Sequence, residues 1–182
     1  DRFSPAYRNE ELRASWGAGP DTPVVIHVGR LAVEKNIPVL LEAWRSLAPV
    51  RGDARLVLTG QGPVAGQIRE LADASVILTG TLTGRELSAA HASADVFAMP
   101  STTETFGNVL LEAMASGLPS VVARAGGVLD FAEHPVNALL VAPDDAIDFA
   151  DGLATLLENR QIRSSLAAGA RSTAMQRSWN AV

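Results

Sequence analysis

The sequence predicts an α/β fold, a parallel β-sheet with helices on both faces. Two observations carry that prediction. Short β-branched apolar runs alternate with amphipathic stretches long enough for helices, the rhythm of strand–helix–strand units. The runs also end repeatedly in a backbone breaker, at Gly29, Gly60, Gly80 and Pro100, so loops collect at one edge of the sheet. A chain of 182 residues with 47% apolar content has the material for one domain with its own core.

In chain order, 1–23 is polar and interrupted by Pro5, Gly17, Gly19, Pro20 and Pro23. It reads as a linker with a short helix over 10–16. A strand over 24–28 ends at Gly29. Ile37, Leu40, Leu41, Trp44 and Leu47 then share one face of a helix. A strand over 55–59 ends at Gly60, and a helix over 63–73 turns Ile68, Leu71 and Ala72 inward. Gly60-Gln61-Gly62-Pro63 between them reads as a tight turn with a structural role. A strand over 75–79 precedes a helix reaching about 93, with Thr83 as its cap. A strand over 95–99 ends at Pro100. The next helix, over 106–116, takes Thr105 as cap and is stopped by Gly117 and Pro119. Strands over 120–123 and 137–141 and helices near 145–158 and 160–178 close the chain.

Composition excludes several functions. A net charge of −5 opposes general nucleic-acid binding. With no cysteine there is no disulfide framework, thiol nucleophile or cysteine zinc site. His27, His91 and His134 are too far apart for a helical ligand pair and read as core, surface or loop residues. No apolar run approaches the length of a membrane span. The start, Asp1-Arg2-Phe3-Ser4-Pro5, has neither a signal-peptide pattern nor an initiator Met, which leads us to expect a piece of a longer protein. Of the 15 basic residues a single one, Lys35, is lysine; lysine serves as a compact point charge at anion sites.

In open parallel sheets ligands sit beyond the carboxyl ends of the strands. There, Gly29 permits a sharp turn, Arg30 offers a planar fork of donors and Lys35 a point charge beside a helix start, a set suited to a diphosphate. Two surface cations in a loop is the bland reading. The loop is neither a G-x-G-x-x-G dinucleotide fingerprint nor a nucleoside-triphosphate P-loop. After the fourth strand, the amides of Phe106, Gly107 and Asn108 are placed to face an anion. Asn108 and Glu112 share a helix face, with Val109, Leu110, Ala113 and Met114 on the buried side. Glu104 stands ahead of the amides. A carboxylate beside an anion site suits sugar hydroxyls, which it accepts as pairs. Equally, Glu104 could serve the helix dipole and Glu112 a solvated surface.

The ordered set of motifs resembles a known family. Gly29-Arg30-Leu31…Glu34-Lys35-Asn36, Gly60-x-Gly62-Pro63 and Ala94-Asp95-Val96-Phe97 are followed by Pro100-Ser101…Glu104-x-Phe106-Gly107…Glu112-Ala113-Met114-Ala115-x-Gly117-x-Pro119 and Gly126-Gly127. This is similar to the carboxyl-terminal, donor-binding half of retaining GT-B glycosyltransferases of family 4, the group 1 transferases, and it covers nearly the whole chain. The implied fold is a Rossmann-like parallel sheet. The implied organisation is an interdomain linker and leading segment over 1–20 and a nucleotide-sugar binding domain over 21–182, with Ser178-Trp179-Asn180 opening the returning C-terminal helix.

The resemblance implies transfer of a hexose, from GDP-mannose or a UDP-sugar, to an acceptor hydroxyl. Arg30 and Lys35, next to Gly29, would hold the diphosphate and stabilise its departure. Glu104, beside Phe106, would contact the transferred sugar. The amides of Gly107, Asn108 and Val109 would bind sugar hydroxyls and phosphate. Glu112 would take the ribose, and the backbone at Thr81 and Leu82 would line the base. No metal or other cofactor is implied, because cations and helix amides take that role. The implied partners are a nucleoside-diphosphate sugar and a missing acceptor-binding N-terminal domain; nucleic acid is not among them. The expected location is cytoplasmic, with any peripheral membrane contact at the inner face made by the missing half. The alternative is a nucleotide-sugar binding module without transferase activity. Two departures stand out: Ala138 where Asn-Gly is common, and His91 where an aromatic is frequent.

Overall fold

The computed structural model describes residues 2–177. Six parallel strands form one sheet: β1 (Val24–Val28), β2 (Arg55–Thr59), β3 (Val76–Gly80), β4 (Val96–Met99), β5 (Ser120–Ala123) and β6 (Leu139–Val141). Their spatial order is β3-β2-β1-β4-β5-β6. Val25 pairs with Leu56 on one side and Val96 on the other, so β1 is the central strand where the winding direction reverses.

The helices are α1 (Glu10–Ser15), α2 (Ile37–Ser46), α3 (Ala65–Leu71), α4 (Gly84–Ser93), α5 (Asn108–Ala115), α6 (Ala146–Glu158) and α7 (Arg160–Gln176). Strand residues alternate between two cores, as a two-residue period demands. Val25, Leu56, Leu58 and Val96 face Leu40, Trp44, Phe149 and Leu153 on α2 and α6. Ile26, Val57, Phe97 and Val122 face Ala90, Leu110, Met114 and Ala170 on α4, α5 and α7. The predicted α/β class, with helices on both faces, is the observed one.

The leading segment packs onto α4. Arg13 is buried and donates to Ser93 O (2.6 Å), Thr22 O (2.6 Å), Gly19 O (3.2 Å) and Asp95 Oδ2 (3.0 Å). Asp95 also accepts from the Val24 amide at 2.8 Å, so its carboxylate ties the entrance of β1 and β4 begins at Val96.

Other boundaries move for equally local reasons. Thr83 and Thr105 do not cap their helices. Thr83 occupies the N-cap position of α4 without a side-chain bond, and α5 starts at Asn108 because Gly107 takes a left-handed conformation (φ +80°) as N-cap. α3 is shorter than its pattern and leaves Leu71 exposed, with Val64 and Ile68 filling the inward face. The last strand loses Asn137, whose amide donates to Phe131 O and Thr173 Oγ1 while its oxygen accepts from the Glu133 amide. Ala138 is fully buried and does not adopt a left-handed turn. The C-terminal motif Ser178-Trp179-Asn180 lies outside the described residues. No helix among the described residues is long and apolar enough to cross a membrane.

Candidate active site

The carboxyl ends of β1 and β4 frame a cleft of about 530 Å³. Its wall holds Gly29, Arg30 and Lys35 from the β1 loop and Glu104, Phe106, Gly107, Asn108 and Val109 from the β4 loop and α5. Eight of the eleven residues singled out by sequence therefore meet in one place.

The two loops are cross-linked. Lys35 Nζ donates to Glu104 Oε1 at 2.5 Å, Asn36 Nδ2 to Pro100 O at 3.2 Å, and Thr103 Oγ1 to Glu34 O at 3.2 Å. Asn36 holds a left-handed conformation (φ +53°) as α2 begins, and it also donates to Asp144 Oδ1 at 2.6 Å. The ion pair is mostly screened from water, with 23% of the Lys35 side chain and 18% of the Glu104 side chain exposed. Arg30 is different: 64% of its side chain is exposed, and it pairs with Glu34 at 3.2 Å.

Backbone packing fixes both loops. The Gly29 amide donates to Thr59 O and the Leu31 amide to Gln61 O, both at 3.0 Å. A methyl group on Gly60 or Gly62 would run into the carbonyls of Gly29 and Leu31, so that turn is structural, as its composition predicts. The Gly126-Gly127 pair does the same for the β4 loop. The Gly127 amide donates to Glu104 O at 2.8 Å, and a side chain there would collide with Thr105 O. The pair had no assigned role in the sequence; its signal is the two glycines, which permit this close approach.

The first amides of α5, on Asn108 and Val109, precede its first internal hydrogen bonds, which the Leu110 and Leu111 amides make to Gly107 O. They bring the positive end of the helix dipole to the cleft beside Lys35. His27, expected as a core or surface residue, is buried and also stands in the wall of this cleft. Burial lowers its pKa from 6.5 to about 4. Nδ1 bonds Ala98 O at 3.0 Å, which leaves Nε2 without a partner among the described residues.

Thr81 and Leu82 line an adjoining recess of about 260 Å³ that shares Gly29 and Arg30 with the main cleft. Glu112 stands one turn further along α5, in a separate groove with Arg2, Phe3 and Leu111; Asn108 is common to both. No group of His, Asp and Glu side chains among the described residues is placed to hold a metal ion.

Residues 22–159 match the model of the family described as glycosyl transferases group 1. The chain belongs to the group 1 glycosyltransferases. It is similar over its whole length to the sulfoquinovosyl transferase SQD2 of Arabidopsis thaliana (41% identity, 36% of that protein) and to a GDP-mannose-dependent alpha-mannosyltransferase of Corynebacterium glutamicum (36% identity, 42% of that protein). Among solved structures, Anabaena HepE in complex with UDP-glucose superposes with a TM-score of 0.82 at 29% identity, over 96% of this chain and 51% of that one. The C-terminal domain of the group 1 protein LpcC from Francisella tularensis shares the fold (TM-score 0.84, 22% identity, 97% of this chain and 95% of that one). The chain thus spans less than half the length of these two curated relatives and has the fold of one half of a GT-B glycosyltransferase.

Proposed function

We propose that residues 21–182 are the donor-binding domain of a retaining family 4 glycosyltransferase, with 1–20 as linker and leading segment. The full enzyme would move a hexose from a nucleoside-diphosphate sugar to an acceptor hydroxyl. The observation that carries this reading is the Lys35–Glu104 pair at 2.5 Å beside the amino end of α5. A cation, helix amides and a hydroxyl-accepting carboxylate converge at the switch point of the sheet.

Lys35 and Arg30 hold the diphosphate, and with the α5 amides they offset the charge that grows on it as the glycosidic bond breaks. Glu104 accepts hydroxyls of the sugar, with Phe106 and the amides of Gly107, Asn108 and Val109 around it. Thr81 and Leu82 line the base with backbone, and Glu112 accepts the ribose hydroxyls. Two donors are supported: GDP-mannose by the mannosyltransferase relatives, and a UDP-hexose by the UDP-glucose complex of HepE. The acceptor surface belongs to an N-terminal half, which would also make any contact with the inner face of the membrane from the cytoplasm.

A second reading, a module that binds nucleotide sugar without transferring it, draws support from the part of its relatives that the chain spans. Positioning of an acceptor supplies much of a transferase rate. Incubated alone with UDP-glucose or GDP-mannose, the chain should show trace hydrolysis at most. Joined to an N-terminal half, it should yield a product whose anomeric configuration, read by NMR, matches the donor. Fast transfer by the chain alone, or an inverted product, overturns the reading.

A further inference from the structure

The groove that holds Glu112 has a histidine beneath it. His91, on α4, is fully buried, and neither ring nitrogen has a hydrogen-bond partner among the described residues. The ring sits edge-on to Phe3 (centroids 5.6 Å apart, planes at 87°) and tilted against Phe97 at 5.8 Å. These contacts satisfy the ring as an aromatic body and fix its plane. They do nothing for its N–H, which is costly to bury unpaired.

Nε2 lies 3.8 Å from Glu112 Oε2, just beyond hydrogen-bond length. With 28% of its side chain exposed, Glu112 has room to close that gap by a movement of about 1 Å. A phenyl ring would fill the same box; imidazole adds a donor that faces a carboxylate.

We propose that His91 is a positioning residue, whose Nε2–H donates to Glu112 Oε2 and fixes the carboxylate in the orientation that accepts the two hydroxyls of a ribose. The inference rests on the reading of Glu112 as the ribose acceptor. A carboxylate held by a charge-assisted bond keeps one oxygen committed and directs its remaining lone pairs into the groove. The N–H must then be on Nε2, leaving Nδ1 as the bare nitrogen.

The test measures, by calorimetry, how far the chain prefers UDP and GDP to their 2′-deoxy forms. The parent should favour the ribonucleotides by about tenfold, the scale of one hydrogen bond to a charged group. His91→Phe should lose most of that preference, whereas His91→Gln, whose amide reaches the Nε2 position, should retain it. Glu112→Gln should lose it as well. If His91→Phe does not fold, His91→Asn replaces it: its amide ends at the Nδ1 position, so the preference should disappear there too. A preference unchanged in His91→Phe or His91→Asn but lost in Glu112→Gln overturns the role of His91 and leaves the ribose assignment standing. A preference unchanged in Glu112→Gln overturns both.

Discussion

Removing Glu104 should strengthen the binding of a bare nucleoside diphosphate. Lys35 Nζ donates to Glu104 Oε1 at 2.5 Å, so a diphosphate that engages this ammonium takes it from a carboxylate. A hydrogen bond to a charged group contributes about 1.5–3 kcal/mol when shielded, whereas a solvated ion pair contributes about 0–1 kcal/mol. With about a fifth of each side chain exposed, the pair falls between these limits, at about 1–2 kcal/mol. Glu104→Ala should therefore raise the affinity for UDP or GDP by about five- to thirtyfold. The attached sugar reverses part of that gain, because its hydroxyls lose their acceptor. Calorimetry with UDP, UDP-glucose, GDP and GDP-mannose on parent and variant gives both numbers. If Glu104→Ala weakens bare nucleotides as much as their sugar conjugates, Glu104 is a general part of the nucleotide site and the argument fails.

The other predictions concern the cations, the glycine clamp and the buried histidine of the cleft. Arg30→Ala and Lys35→Ala should each weaken nucleoside-diphosphate binding by about 1.5–3 kcal/mol; parental affinity in both would remove the diphosphate assignment. Lys35→Ala should also lower Tm, since it leaves the mostly buried Glu104 without its cation, while Arg30→Ala, at an exposed side chain, should not. Gly127→Ala places a methyl against Thr105 O and should cost about 1–3 kcal/mol of stability; an unchanged urea midpoint would show that the β4 loop yields freely. His27 has a folded-state pKa of about 4 against 6.5, so the unfolded chain binds more protons between those values. Stability is then present above pH 6.5 and is lost as pH falls towards 4. Between pH 7 and pH 5 the loss from this group is about 2 kcal/mol; His27→Phe should lack that share, and an equal acid sensitivity in parent and variant would refute it.

The strands were legible because they are short apolar runs, the first four closed by glycine or proline, and alternation along Val24–Val28 sends residues to the two cores observed. Helix starts were less so. Thr105 has the chemistry of a cap, but the Gly127 amide holds the Glu104 carbonyl, and α5 begins after a left-handed Gly107 instead. Local preference lost there to a tertiary contact. Eight of the residues named from the chain gather at one cleft, whereas the Lys35–Glu104 contact spans 69 positions and exists because β4 lies beside β1. That Glu112 occupies a groove apart from Lys35 could not be read either. Its helical spacing from Asn108 placed both on one face, and the packing of α5 then divides that face between two recesses. His27 looked like any strand residue; only the sheet order gives its Nδ1 a bond to Ala98 O and leaves Nε2 buried without a partner among the described residues.

The most direct test of the central claim, that this domain holds a nucleoside-diphosphate sugar between the β1 and β4 loops, is a calorimetric titration of the chain with UDP, GDP, UDP-glucose, GDP-mannose and NAD. The account predicts saturable one-to-one binding of at least one nucleoside diphosphate and its sugar conjugate, a marked loss in Lys35→Ala, and no binding of NAD. Binding of NAD alone, or nucleotide binding that Lys35→Ala leaves intact, would contradict it.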